Sequence, residues 1–212
     1  MRIAIIGAGN VGGSLAGAAK AAGHDVVVSA SDPSNAQETA ARTGAKAAAS
    51  NAEAVNNADV VVIAVPGSAV ASVATELTAA LAGKIVVDAT NPLNDTYSDL
   101  TTSGVSAAEL LQEQLPGATV VKSLNTVFAS RYASATEDGR PLDALIAGDD
   151  SAAKATVSEL VESLGLRPVD AGGLRMARTL EEMAFLNISL NARNGWSWQS
   201  AFQLVGPTSA AA

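Results

Sequence analysis

The residues with the clearest chemical meaning are Gly7-Ala8-Gly9-Asn10-Val11-Gly12, which match G-x-G-x-x-G. In that pattern the first glycine permits a tight turn off a strand. The second has no side chain, so a pyrophosphate can approach the backbone, and the third lets helix and strand pack closely. A helix that starts here offers unpaired amides and a partial positive charge to phosphates. The local context fits: the apolar run "RIAIIG" precedes the turn, an Ala-rich helical stretch follows from about Val11 to Ala22, and "DVVVSA" then reads as a second strand. A β-α-β unit of about thirty residues around the motif is what dinucleotide binding requires.

The far end of that unit should choose the cofactor. An acid at the tip of strand two accepts hydrogen bonds from the ribose hydroxyls of NAD, whereas basic or hydroxyl groups there suit the 2′-phosphate of NADP. The chain offers Ser29-Ala30-Ser31-Asp32-Pro33. Asp32 has roughly the right spacing for the ribose, yet Asp followed by Pro is also a natural helix start, with the acid as N-cap and proline in the first turn. Ser29 and Ser31 are candidate donors to a 2′-phosphate, with Arg42 on the following helix within possible reach. Read from the residues alone, NADP and NAD both remain open.

The reacting end of a dinucleotide crosses the carboxyl ends of the strands. There the sequence places Val65-Pro66-Gly67, Asn91-Pro92 and Asn125. The prolines offer rigid apolar surface to a flat ring, and the asparagines offer amides to a carboxamide or a ring carbonyl. Acid-base groups are scarce. His24, the one histidine, falls at the turn entering strand two, on the wrong edge of the sheet. Lys122 and Asp88 lie near strand ends without a following lysine-asparagine pair, and no group of His, Asp and Glu has metal-ligand spacing. We therefore assign no catalytic acid, base or metal. Direct hydride transfer between two redox cofactors suits such a site, because no substrate proton has to be managed.

Elements that position these residues follow from the apolar pattern. Further buried strands are expected at "DVVVIAVP" (59–66), "GKIVVDATNP" (83–92), "ATVVKSLN" (118–125) and "LDALIAG" (142–148), with a weak strand at 45–49 and a short one at 166–170. Helices are expected at 33–43, 68–81, 106–115, 149–165 and 174–193. Such alternation predicts an α/β Rossmann-type, doubly wound, mainly parallel sheet. We divide the chain into a dinucleotide-binding domain over 1–173 and a C-terminal helical segment over 174–212, ending in a loose "TSAAA" tail. The helix at 174–193 has apolar residues on more than one face, which calls for cover by Trp196 and Trp198 or by a second copy in a homodimer.

Composition bounds the rest. The 212 residues are 48% hydrophobic and 16% charged, with a net charge of −8. An acidic chain of this kind is expected to avoid nucleic acid and anionic membranes. No apolar run approaches the ~20 residues of a membrane span, and "MRIAIIGAGN" reads as a strand rather than a signal peptide. The chain has no cysteine, which excludes disulfides and thiolate chemistry and fits a cytoplasmic protein.

Beyond the glycine turn, "GHDVVVSA", "GKIVVDATNPL", "ATVVKSLNT" and "VDAGGL" occur in order. With them, the span from Met1 to about Gly173 resembles the NADP oxidoreductases that use the deazaflavin coenzyme F-420, a group also similar to the reductase domain of six-transmembrane metalloreductases. The resemblance implies a dimeric NADP enzyme. Its nicotinamide would lie near Pro66, Asn91 and Asn125, and a second planar redox molecule, deazaflavin or flavin, would stack in the cleft. The family often carries Ser-Arg-Arg where Ala30-Ser31-Asp32 stand here, and commonly a histidine at the place of Asn125. The alternatives are an NADP(H)-binding redox sensor without turnover and a reductase of small carbonyls or imines.

Overall fold

The computed structural model describes residues 1–206 and residue 208; of the expected tail, all but Thr208 lies outside the described residues. Chain order begins β1 (Arg2–Ile6), α1 (Asn10–Ala21), β2 (Asp25–Ser29), α2 (Pro33–Thr43), β3 (Lys46–Ala47), α3 (Asn51–Val55), β4 (Val60–Ile63), α4 (Val70–Leu77), β5 (Ile85–Asp88), α5 (Ala107–Gln114) and β6 (Thr119–Lys122). A small hairpin of β7 (Thr136–Glu137) and β8 (Arg140–Pro141) follows. The chain then forms β9 (Asp143–Ala147), α6 (Ser151–Ser163), β10 (Arg167–Gly172) and α7 (Ala177–Asn194).

The main sheet has the order β10-β9-β6-β5-β4-β1-β2-β3. Strands β1 to β6 are parallel, in the doubly wound 3-2-1-4-5-6 arrangement. Strand β9 joins β6 antiparallel at Lys122 and Ala147, and β10 runs parallel to β9. Both faces of the sheet are covered, which is why its strands read as continuous β-branched runs. In β1, Ile3 and Ile5 enter one apolar cluster while Ala4 and Ile6 enter the other. In β4, Val60 and Val62 part in the same way from Val61 and Ile63.

Sequence order reverses between β1 and β4, so the ligand crevice opens at their carboxyl ends. Positive-φ backbone gathers nearby. Five non-glycine residues adopt it among those described, and three of them, Tyr97, Leu124 and Trp198, line the cleft described next. Among the described residues, no helix is long and apolar enough to cross a membrane.

Candidate dinucleotide and acceptor site

The glycine turn sits at the switch point. Gly7 has φ +114°, and a Cβ there would meet the Ala64 carbonyl oxygen at 2.3 Å. At Gly12 a Cβ would clash with the Gly7 carbonyl oxygen, so side chains at both positions are excluded by the fold itself. Gly9 differs: its Cβ would meet nothing within 4 Å. Packing therefore does not require glycine there, and the space in front of its backbone is open. Gly9 is also the N-cap of α1 and makes no side-chain cap. The first amide bonded back is that of Gly13, to the Gly9 carbonyl at 2.7 Å, so the amides of Asn10, Val11 and Gly12 stand ahead of the helical ladder.

At the adenosine end, Asp32 is the N-cap of α2. Its Oδ1 accepts from the Ser34 amide at 2.9 Å and from the Ser34 hydroxyl at 2.7 Å. These two bonds hold its carboxyl below the usual range, the hydroxyl bond being the stronger cause. Ser29 is buried, and its hydroxyl donates to Asn51 Oδ1 at 2.7 Å. Ser31 is exposed. The exposed Arg42 borders a recess formed with Ala8, Gly9, Asn10, Asn35, Glu38 and Thr39. Thr39 fixes that recess by donating to the Ala8 carbonyl at 3.3 Å.

The glycine turn opens through Val11 into a cleft of about 570 Å³. Val65, Pro66, Asn91 and Asn125 line it, so the strand-end residues singled out in the sequence converge on one site. Pro92 is buried behind it, and its carbonyl accepts from the Thr101 amide and hydroxyl. Gly67 brings the loop after β4 against β5: a Cβ there would meet the Asn91 carbonyl oxygen at 2.8 Å. Asn91 Nδ2 donates to the Asn125 carbonyl, and Asn125 Nδ2 donates to Asn91 Oδ1, both at 3.0 Å. Asn125 Nδ2 also reaches the Leu180 carbonyl of α7 at 3.0 Å. Among the described residues, the Asn125 Oδ1 acceptor is buried without a partner, which leaves a polar atom that calls for one. Among the described residues, the only titratable side chains lining the cleft are Asp95 and Tyr97.

Beneath this cleft lies a buried ion cluster that the sequence did not disclose. Lys122 Nζ meets Asp88 Oδ2 and Glu181 Oε1, each at 2.9 Å, and donates to the Thr90 carbonyl at 2.7 Å. Burial acts to lower the Lys122 pKa, but the two carboxylates outweigh it and the pKa is raised. Burial raises that of Glu181 against the opposing pull of Lys122. Asp88 Oδ1 accepts from the Thr90 amide and hydroxyl, so the cluster fixes the backbone one residue before Asn91. Glu181 also receives the Ala107 and Ala108 amides at the start of α5. Lys122 is therefore a structural cation.

The C-terminal segment forms one wall of the cleft through Ala184, Asn187, Ile188 and Trp198. Leu180, Ala184, Asn187 and Asn191 share the buried face of α7. The two asparagines face inward because the tail returns over them. Asn191 Oδ1 accepts from the Trp198 amide at 3.1 Å, and Ser200 Oγ donates to Asn187 Oδ1 at 2.6 Å. Trp198 packs edge-on against Phe128 at 5.6 Å. The i, i+4, i+7, i+11 spacing of those four positions was the available signal. Arg178 does not face the cleft: it forms a double hydrogen bond with Glu109 at 2.8 and 2.7 Å. Arg175 is exposed. His24 bonds Ser163 at 2.7 Å at the entry to β2, away from the cleft.

Comparison with known proteins agrees with this geometry. A family model described as "NADP oxidoreductase coenzyme F420-dependent" matches residues 2–92. An F420-dependent NADP reductase of Methanothermobacter marburgensis is 33% identical over 213 residues, covering 92% of this chain and 94% of its own. The metalloreductase STEAP3 of Rattus norvegicus is 35% identical over 181 residues, 85% of this chain and 36% of that one. Among solved structures, a protein of Arthrobacter sp. FB24 described as a candidate F420-dependent NADP reductase has a TM-score of 0.82 at 31% identity, covering 91% of this chain and 94% of that one. A Streptomyces aurantiacus imine reductase, at 20% identity and TM-score 0.70 over 92% of this chain and 64% of its own, shares the fold. With the glycine turn and a relative 33% identical and matched over nearly its whole length, the chain belongs to the coenzyme F420-dependent NADP oxidoreductase family.

Proposed function

We propose that this protein is an oxidoreductase that moves a hydride reversibly between NADP(H) and the deazaflavin coenzyme F-420. The observation that carries the reading is the continuity of the site: Val11 belongs both to the glycine turn and to the wall of the 570 Å³ cleft. A dinucleotide with its phosphates over Gly9 thus delivers its ring to Pro66, Asn91 and Asn125. Bound there, the nicotinamide would supply the hydride, the acceptor's ring would receive it on carbon, and solvent would supply the proton that completes the reduced ring. The protein's own contribution is placement: Asn125 Oδ1 accepts from a carboxamide, Val65 and Pro66 back the ring, and α7 with Trp198 covers the cleft from water. Holding reacting carbons ~3–3.5 Å apart can supply most of the rate. Flavin in place of deazaflavin is a second planar acceptor for the same cleft.

NADP is preferred over NAD on two grounds. Asp32 is engaged by Ser34 as a helix cap, and Arg42, which has no ion pair among the described residues, stands beside the recess at Asn10 and Asn35, where it and Ser31 would meet a 2′-phosphate. We read the segment 174–212 as the cover over a dinucleotide domain of residues 1–173. Leu186 and Leu190, exposed on α7, and Leu110 on the adjoining α5 form the apolar surface through which two copies pair. We assign the homodimer to the cytoplasm, in keeping with a cysteine-free chain.

The test is NADPH oxidation, followed optically, against deazaflavin, FMN, ferric chelates and small carbonyls, with light scattering on the same sample for the dimer. Turnover with deazaflavin is expected. Turnover only with carbonyls would reject the reading.

A further inference from the structure

Tyr97 and Trp198 come from unrelated segments, the loop after β5 and the returning tail, yet both line the same cleft. Both are unusually exposed for aromatic side chains, at 65% and 45%. Both also have left-handed backbone, φ +56° and +59°, a conformation that bulky residues adopt only where the surroundings enforce it. The enforcement is visible. The Tyr97 amide donates to the Asn94 carbonyl at 2.9 Å, while Asn94 Oδ1 accepts from the Ser98 amide at 2.9 Å and the Thr96 hydroxyl at 3.1 Å. The Trp198 amide is bound by Asn191, its carbonyl accepts from Ser130 Oγ at 2.6 Å, and the next carbonyl, of Gln199, accepts from the buried Arg131 at 2.6 Å. Neither arrangement buries the ring it presents. Beyond the edge contact of Trp198 with Phe128, packing does not account for strained backbone that leaves so much of each ring open at a cleft, and a binding surface does.

We propose that Tyr97 and Trp198 are the stacking surface that binds the acceptor's planar heteroaromatic ring. This rests on the hydride-transfer reading above and deepens it. No lysine or arginine lines the cleft among the described residues, and its one carboxylate is Asp95. Recognition at this point therefore acts on the ring rather than on an anionic tail. Stacking of this kind tolerates related rings, because each has a π face.

The experiment uses the full chain and the variants Trp198→Leu, Trp198→Phe and Tyr97→Leu. The leucine variants keep apolar bulk and lose the ring. Binding of coenzyme F-420 and of riboflavin is measured by ligand fluorescence, NADPH binding by calorimetry, and NADPH:F-420 turnover by absorbance. Each leucine variant is expected to weaken both ring ligands about tenfold and to raise the acceptor KM alike, with NADPH affinity unchanged and Trp198→Phe close to wild type. Unaltered ring affinity in both leucine variants would overturn the proposal. So would loss of F-420 without loss of riboflavin, which would place recognition on the tail, and so would parallel loss of NADPH, which would mean collapse of the cleft. Ring binding that the variants weaken, in a wild type that does not turn over, would support the stacking surface and reject the hydride-transfer reading. Turnover with variant-insensitive acceptor KM would do the reverse.

Discussion

Lys122 on β6 and Glu181 on α7 form an ion pair of 2.9 Å whose side chains are 0% and 2% exposed. With Asp88, the pair ties the covering helix to the strand ends that carry Asn91 and Asn125. Removing one member of a buried pair leaves an uncompensated charge and typically costs about 3–5 kcal/mol. Lys122→Met leaves Asp88 and Glu181 facing each other, so it is expected to destabilise by at least that amount. The loss should shrink in mildly acidic buffer as a carboxyl takes up a proton. Urea unfolding at two pH values measures both effects.

Gly9 and Gly12 separate binding from folding. Gly9→Val places its side chain in open space, so the melting temperature should hold within a few degrees while NADPH binding is abolished. Gly12→Val drives a side chain into the Gly7 carbonyl and should unfold the protein or cost several kcal/mol. Calorimetry and thermal melts on the two variants distinguish these outcomes. Loss of fold in the first would remove the assignment of Gly9 to the pyrophosphate.

Asp32→Ala should lower stability slightly as a lost N-cap and leave the NADP to NAD preference within about twofold. Arg42→Met should weaken NADPH about tenfold, the worth of a charge-assisted hydrogen bond, with NADH unaffected. Paired binding titrations decide. A large gain in NADP affinity for Asp32→Ala would show that the acid reads the ribose.

Glu109 carries a pH signature. Its double hydrogen bond from Arg178, aided by Ser106, holds its carboxyl down at about 2, against 4.5 for a free glutamate. A depressed folded pKa contributes stability above pH ~4.5, and that contribution fades as pH falls toward 2. Because Arg178 is partly exposed, solvent screening keeps this contribution small. Arg178→Met should therefore lower stability at pH 7 and differ little from wild type near pH 2, as followed by denaturant melts across pH.

Much of this was legible in the sequence where one physical constraint acts alone. "DVVVIAVP" is apolar throughout because β4 is covered on both faces, and Asp32-Pro33 begins a helix that runs as expected to Thr43. Pro66, Asn91 and Asn125 converge because strand ends of a parallel sheet lie side by side. Helix α3, five residues long, was missed because it is too short to show a period. The antiparallel entry of β9 was missed because strand direction leaves no local mark. Glu181, Asn187 and Asn191 look like polar breaks in an apolar helix. Only their partners, Lys122 and the backbone and Ser200 of the returning tail, explain why they point inward, and those partners are distant in sequence.

The central claim is direct hydride transfer in a cleft without a catalytic acid. Its most direct test uses NADPH with deuterium at both C4 positions and oxidised coenzyme F-420 in ordinary water, with the product analysed by mass spectrometry. Direct transfer predicts one deuterium per turnover retained on the carbon of the deazaflavin ring that accepts the hydride, at a rate insensitive to removal of Asp95 or the Tyr97 hydroxyl. Deuterium lost to solvent before it reaches the ring, or NADPH left unoxidised in the presence of the deazaflavin, would contradict it.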